Sequence, residues 1–139
     1  MTAARRAGAA SGAILALAFS AACAHRYHFP PSVTPAVGTV QTGVASWYGP
    51  GYHGNRTSSG ERYDMDDLTA AHATYSFGTR VRVTLLSTGK SVVVRINDRF
   101  PSHKGRIIDV SRAAARRIGL VAQGTGRVRV EVLGVETAD

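Results

Sequence analysis

The stretch Arg80-Val81-Arg82-Val83-Thr84-Leu85-Leu86-Ser87-Thr88-Gly89-Lys90-Ser91-Val92-Val93-Val94-Arg95-Ile96-Asn97-Asp98-Arg99 decides the fold class. Val81, Val83 and Leu85 alternate with Arg80, Arg82 and Thr84, and Val92, Val94 and Ile96 alternate with Val93, Arg95 and Asn97. A period of two sends successive side chains to opposite faces, so each run predicts a strand with one buried and one wetter face. Ser87-Thr88-Gly89-Lys90 between them is polar and carries a glycine, the composition of a hairpin turn.

The same alternation recurs downstream, where Val128, Val130 and Val132 interleave with Arg127, Arg129 and Glu131. One helix is expected: Ser111 as N-cap, the Ala-rich run Arg112 to Ile118, and Gly119 placed to end it. Short strands with a single small helix, between about Gly43 and Gly134, predict one mainly β domain, a barrel or sandwich. Residues 135–139 form a tail. Upstream, Ala24 to Thr42 carries Pro30, Pro31 and Pro35 with few periodic apolar positions, and is expected to be a tether, extended or disordered.

The N-terminus has a different purpose. Arg5 and Arg6 precede an apolar run from Ala13 to Phe19, followed by Ser20, Ala21, Ala22 and Cys23. A basic start, a short apolar run and small residues before a cut describe an export signal over residues 1–22. The run falls short of the roughly 20 apolar residues that a membrane span takes. Cys23 is the only cysteine, so no disulfide forms within the chain. Two small residues directly before it match a lipoprotein signal, with Cys23 the lipidated first residue of the mature protein; Ser20 stands where an aliphatic residue is usual. Acyl chains there anchor the protein to a membrane without a transmembrane helix. The alternative is a plain signal cut nearby, with Cys23 incidental.

The chain carries 17 basic and 9 acidic residues, a formal charge of +8. A basic exterior suits polyanions in general: nucleic acid, anionic lipid or the bacterial wall. The charge is spread along the chain and does not choose among them, but export removes nucleic acid from reach.

Candidate chemistry gathers in two places. The first is Gly43-Val44-Ala45-Ser46-Trp47-Tyr48-Gly49, which continues through Tyr52-His53-Gly54 to Thr57-Ser58-Ser59-Gly60-Glu61. The lone Trp47 beside Tyr48, in a Gly-rich, loop-like setting, suits a sugar face; equally, Trp47 is a core residue, as most large aromatics are. The second is Asn97-Asp98-Arg99. Asp98 shares the parity of Val92, Val94 and Ile96 and so continues the buried stripe, where a carboxylate's charged form is disfavoured. A raised pKa prepares a general acid near neutral pH. Arg95 and Arg99 push the other way, and an Asp that pins a turn is the commoner role after a strand. Glu61, in a Gly-containing loop, and His72, after Ala70 and Ala71, are further candidates for an acid, a base or a hydrogen-bond donor. No metal site is expected, because His53, His72, Asp64, Asp66 and Asp67 show no ligand spacing and no calcium-loop pattern.

Taken together, Gly43-Val44-Ala45-Ser46-Trp47-Tyr48-Gly49, Thr69-Ala70-Ala71-His72, Val92 to Arg99 and Arg106-Ile107-Ile108-Asp109-Val110-Ser111 resemble, in order, the core motifs of the rare lipoprotein A family. The resemblance runs from about Gly43 to Leu133. It implies a six-stranded double-psi β-barrel with one short helix, an architecture shared with expansins and barwin-like proteins. It further implies an endolytic lytic transglycosylase, which cleaves the β-1,4 bond from N-acetylmuramic acid to N-acetylglucosamine and leaves a 1,6-anhydro end. One carboxylate can carry that chemistry, unlike the pair of most hydrolases. The resemblance puts the carboxylate at Asp98, with Glu61 and His72 assisting and Trp47, Tyr48, Asn97 and Arg99 against the glycan. No cofactor or metal is implied. The expected partners are peptidoglycan strands and, through Cys23, a membrane of the periplasmic envelope; a monomer without nucleic acid is expected.

Two departures stand out. Phe100-Pro101 follows Arg99 where the family usually has Gly-Pro, which either lines the cleft or alters the loop. The chain ends at Asp139 without a SPOR repeat, so septal targeting by that route is not expected. Phe100 keeps a second reading alive: a non-catalytic, expansin-like module that binds or loosens the wall.

Overall fold

The computed structural model describes residues 29–136. The export signal over 1–22 and the lipidation site Cys23 lie outside the described residues, as do 24–28 of the expected tether.

In chain order the elements are β1 (Val40–Trp47), β2 (Thr69–Ala71), β3 (Thr79–Leu85), β4 (Ser91–Asp98), β5 (Arg106–Val110), α1 (Arg112–Ile118) and β6 (Gly126–Val135). The alternating runs form the hairpin they predict: β3 pairs antiparallel with β4, Val81 opposite Val94 and Val83 opposite Val92. β6 pairs antiparallel with both β3 and β1. The strands close on themselves in the order β1-β5-β2-β4-β3-β6, so no sheet edge is left open. Val81, Val83, Leu85, Ile96, Ile108, Val110, Val128, Val130 and Val132 fill the interior without solvent contact.

The strand order adds what alternation did not reveal. β1 runs parallel to β5, and β2 runs parallel to β4. These pairs bring the ends of β1, β4 and β5 to one rim. The segment expected to be Gly-rich and loop-like is in fact β1 up to Trp47. Gly43 does not make a loop; it lets β5 come close, since a Cβ there would sit 2.7 Å from Ile107 Cγ2. Helix α1 matches its caps: Ser111 Oγ accepts from Ala114 N at 3.2 Å, and Gly119 takes the left-handed conformation at φ 82°.

The boundaries shift. β1 begins at Val40 rather than Gly43, and β6 runs through Val135. Part of the expected tether is docked, with Val33 N donating to Thr74 O at 2.7 Å and Ser76 N to Val33 O at 2.8 Å. A further change concerns Asp98. In the β2–β4 pairing Ala70 faces Ile96 but Ala71 faces Asp98, so Asn97 is an extra residue on β4. A bulge of this kind breaks the period of two. Asn97 therefore turns in, 2 % exposed, and Asp98 is only half-buried at the rim rather than continuing the buried stripe.

Candidate active site

At that rim lies a cleft of about 410 Å³ bounded by Ser46, Trp47 and Tyr48 from β1 and its end, Asp98 to Pro101 after β4, and Arg106 and Asp109 from β5, with Tyr52 at its mouth. The bulge delivers Asp98 there, and four donors fix its carboxylate. Ser58 N and Ser58 Oγ, each at 2.9 Å, and Arg99 N at 2.8 Å donate to Oδ1. Tyr48 Oη donates to Oδ2 at 2.8 Å. A carboxylate oxygen accepts along two directions, so Oδ2 keeps one open. Burial, then the adjacent Asp98 charge, pushes the Tyr48 phenol far above its ordinary pKa, which keeps Tyr48 a donor.

Aromatic side chains line the approach. Tyr48 packs against Tyr63 and Tyr52 at ring separations of 4.7 and 5.7 Å. Trp47 combines both roles weighed for it: it packs partly against the core and also faces the cleft. Phe100, buried, lines the cleft, with the Arg106 guanidinium 5.0 Å over its ring.

The other expected site residues are placed differently. Glu61 meets Arg95 through two contacts, at 2.6 and 3.1 Å, and accepts from Asn97 Nδ2 at 3.2 Å. The Arg95 bonds hold its carboxyl below the usual range despite some desolvation. Glu61 does not border the cleft, but it reaches Asp98 through a short turn. Thr57 N donates to Glu61 O at 2.7 Å, closing the loop that presents Ser58 to Asp98. Asn97 therefore bridges to Glu61 from inside, its own Oδ1 unpaired. Arg99 is engaged elsewhere, with Nη1 donating to His72 O at 3.1 Å, Nη2 to Ser32 Oγ at 2.8 Å, and the guanidinium 4.2 Å over Phe77.

His72 supports the site from behind. It is 3 % exposed and stacks on Tyr75 at 3.8 Å. Its Nδ1 accepts from Thr74 N at 3.1 Å and Tyr75 N at 3.0 Å, which leaves the proton on Nε2, facing Gln41 Oε1 at 3.0 Å. The ring borders a separate pocket of about 250 Å³, while the backbone N–H donates to Asp98 O at 3.1 Å. Burial, then the Arg99 charge, lowers its pKa to about 4. The unfolded chain, titrating near 6.5, takes this proton first, so stability falls from about pH 6.5 to pH 4 and levels off below. Urea midpoints across that window should fall more steeply for the wild type than for His72→Gln; equal slopes would refute the buried neutral ring.

Sequence reasoning gave no individual role to Ser46, Ser58, Tyr52 or Asp109, although each lies in a stretch it singled out. Asp109 is 9 % exposed on the cleft wall and bonded by Ser46 Oγ. Burial raises its pKa, against the lowering effects of Ser46 and Arg106, and the Asp98 charge raises it further. Among the described residues no three His, Cys, Asp or Glu side chains gather to hold a metal.

Known proteins resemble this arrangement. The family model described as "Lytic transglycolase" matches residues 40–130. The endolytic peptidoglycan transglycosylase RlpA of Neisseria meningitidis is 59 % identical over 92 residues, which is 66 % of this chain and 38 % of that protein. The probable endolytic peptidoglycan transglycosylase RlpA of Synechocystis is 56 % identical over 94 residues, 68 % of this chain and 29 % of the relative. The chain thus spans well under half the length of these relatives. Among solved structures, an expansin from Clavibacter michiganensis superposes with a TM-score of 0.57 at 22 % identity, covering 72 % of this chain and 53 % of that one. The Streptomyces papain inhibitor gives 0.58 at 20 %, covering 73 % and 99 %. These likenesses identify the closed barrel as the double-psi fold.

Proposed function

The chain belongs to the lytic transglycosylase family of double-psi β-barrel domains, among proteins of the rare lipoprotein A type, and from that premise we propose that it is an endolytic peptidoglycan lytic transglycosylase. The observation that carries the reading is the Asp98 carboxylate, fixed by four donors with one direction of Oδ2 left open in a cleft flanked by aromatic rings. Cleavage of the muramic acid to glucosamine bond needs a proton delivered to the leaving oxygen and another removed from the muramic 6-hydroxyl as that oxygen closes on C1. Asp98 is the carboxylate that takes part in this exchange. Tyr48 holds its reactive oxygen, and Ser58 and Arg99 N hold the other.

Glu61 and His72 support this chemistry at one remove. Glu61, ionised by Arg95, anchors the turn that presents Ser58; His72 fixes the backbone of Asp98. Trp47, Tyr52 and Phe100 offer apolar faces to sugar rings, whose C–H groups pack on aromatic surfaces. The substrate places the protein in the cell envelope, held there through Cys23.

The expansin-like fold and the aromatic lining favour one other reading, a module that binds glycan without cutting it. Incubating the purified chain with insoluble peptidoglycan separates the two. Release of soluble muropeptides with anhydro ends is expected, whereas co-sedimentation with no release, on intact and peptide-stripped glycan alike, would establish the binding module.

A further inference from the structure

Asp109 is a second carboxyl on the wall of the same cleft, and its surroundings are the reverse of those around Asp98. Asp98 receives four hydrogen bonds on its two oxygens. Asp109 has both of its polar neighbours on one oxygen: Ser46 Oγ donates to Oδ1, and Arg106 Nε stands 3.1 Å from the same atom. Even this second contact is Coulombic rather than a hydrogen bond, because the buried Nε–H finds no acceptor in line. Asp109 Oδ2 takes no hydrogen bond from any described residue, yet it is not among the buried unpaired atoms, so it opens on the cleft.

Two carboxyls in one site with opposite surroundings are suited to opposite proton roles. The ionised form of Asp98 has donors for both oxygens. Asp109, largely desolvated, has its neutral form favoured by burial and by the charge on Asp98. In the neutral form the proton sits on Oδ2, the oxygen without a hydrogen-bond partner among the described residues.

Resting on the transglycosylase reading, we infer that Asp109 and Asp98 divide the proton work: Asp109 protonates the leaving oxygen, and Asp98 deprotonates the muramic 6-hydroxyl. As the C1–O4 bond breaks, its electron pair goes to O4, which takes the Asp109 proton. The O6 lone pair then forms the O6–C1 bond while the O6 proton passes to Asp98. No water is consumed. Asp98 gives its proton to solvent and Asp109 regains one before the next turnover. In a β-glycoside the leaving O4 and the attacking O6 both lie on the β face of the muramic ring, so two carboxyls at one rim of the barrel can serve both steps.

The test is the pH dependence of kcat on purified peptidoglycan for wild type, Asp109→Asn and Asp98→Asn. The wild type should show an alkaline limb, where Asp109 loses its proton. Asp109→Asn should lower kcat by about 10²-fold or more and abolish the alkaline limb. A wild-type rate, or a reduced rate that keeps the alkaline limb, would overturn the division of roles. Should Asp109→Asn fail to fold, Ser46→Ala decides instead. It removes the donor that favours ionised Asp109, so the alkaline limb should move to higher pH; an unmoved limb would overturn the proposal. A wild type that releases nothing would reject the transglycosylase reading itself and this inference with it, whereas an active wild type beside an unaffected Asp109→Asn would reject this inference alone.

Discussion

Asp98→Asn should lower the release of anhydro-ended fragments by about 10²–10⁴-fold, the usual contribution of acid/base catalysis, while the fold and glycan binding persist. Asn is the appropriate probe because it keeps the local hydrogen bonds. Its Oδ1 still accepts from Ser58 N, Ser58 Oγ and Arg99 N, and its amide meets a Tyr48 hydroxyl that can accept as well as donate. What disappears is the ability to take and return a proton. The thermal midpoint and co-sedimentation with peptidoglycan should therefore stay near wild type while the rate collapses. A variant within a few-fold of the wild-type rate would remove Asp98 from the chemistry.

Ile96→Ala should destabilise the barrel by about 2–5 kcal/mol, the range for truncating a large aliphatic side chain in a packed core. Ile96 has no solvent contact and lies on β4 opposite Ala70, directly before the bulge. The small Ala70 and Ala71 in β2 cannot fill the space it would leave. For a domain of this size each kcal/mol moves the midpoint by about 4–8 °C, so a fall well above 10 °C is expected in a thermal melt. A loss under about 1 kcal/mol would mean that the barrel interior relaxes around the gap.

The two predictions bear on neighbouring residues, and the bulge between them explains how far the sequence could be read. β3, β4 and β6 were legible because each has an antiparallel neighbour and keeps one face wet, which writes alternation into the chain. Helix α1 was legible through its caps, Ser111 and Gly119. β2 and β5 were not legible from periodicity. β2 has three residues, all buried, and β5 runs Arg106-Ile107-Ile108-Asp109-Val110 with no wet alternate positions. Each holds three consecutive buried residues, so no period of two is left to read.

The site divides along the same line. Asp98 was found as a carboxylate ending a strong strand, although its expected inward parity was wrong: the extra residue Asn97 turns in where Asp98 was placed. Trp47 and Tyr48 could be found because aromatic residues are scarce and adjacent there. Asp109 was hidden. Only the parallel β1–β5 pairing, with Ser46 opposite Asp109, reveals that a carboxylate inside an apolar strand faces the cleft. Glu61 and His72 were picked out as polar residues; their hydrogen bonds run to Arg95 and Asn97 and to Gln41, Thr74 and Tyr75, which no sequence pattern announced.

The proposed reaction breaks the glycosidic bond with the substrate's own 6-hydroxyl and not with water. Digestion of peptidoglycan by the purified chain in isotopically labelled water tests it most directly, with the new ends read by mass spectrometry. Muramic ends one water lighter than a hydrolysis product and free of label are expected. Reducing ends that carry the label would contradict it and make the protein a hydrolase.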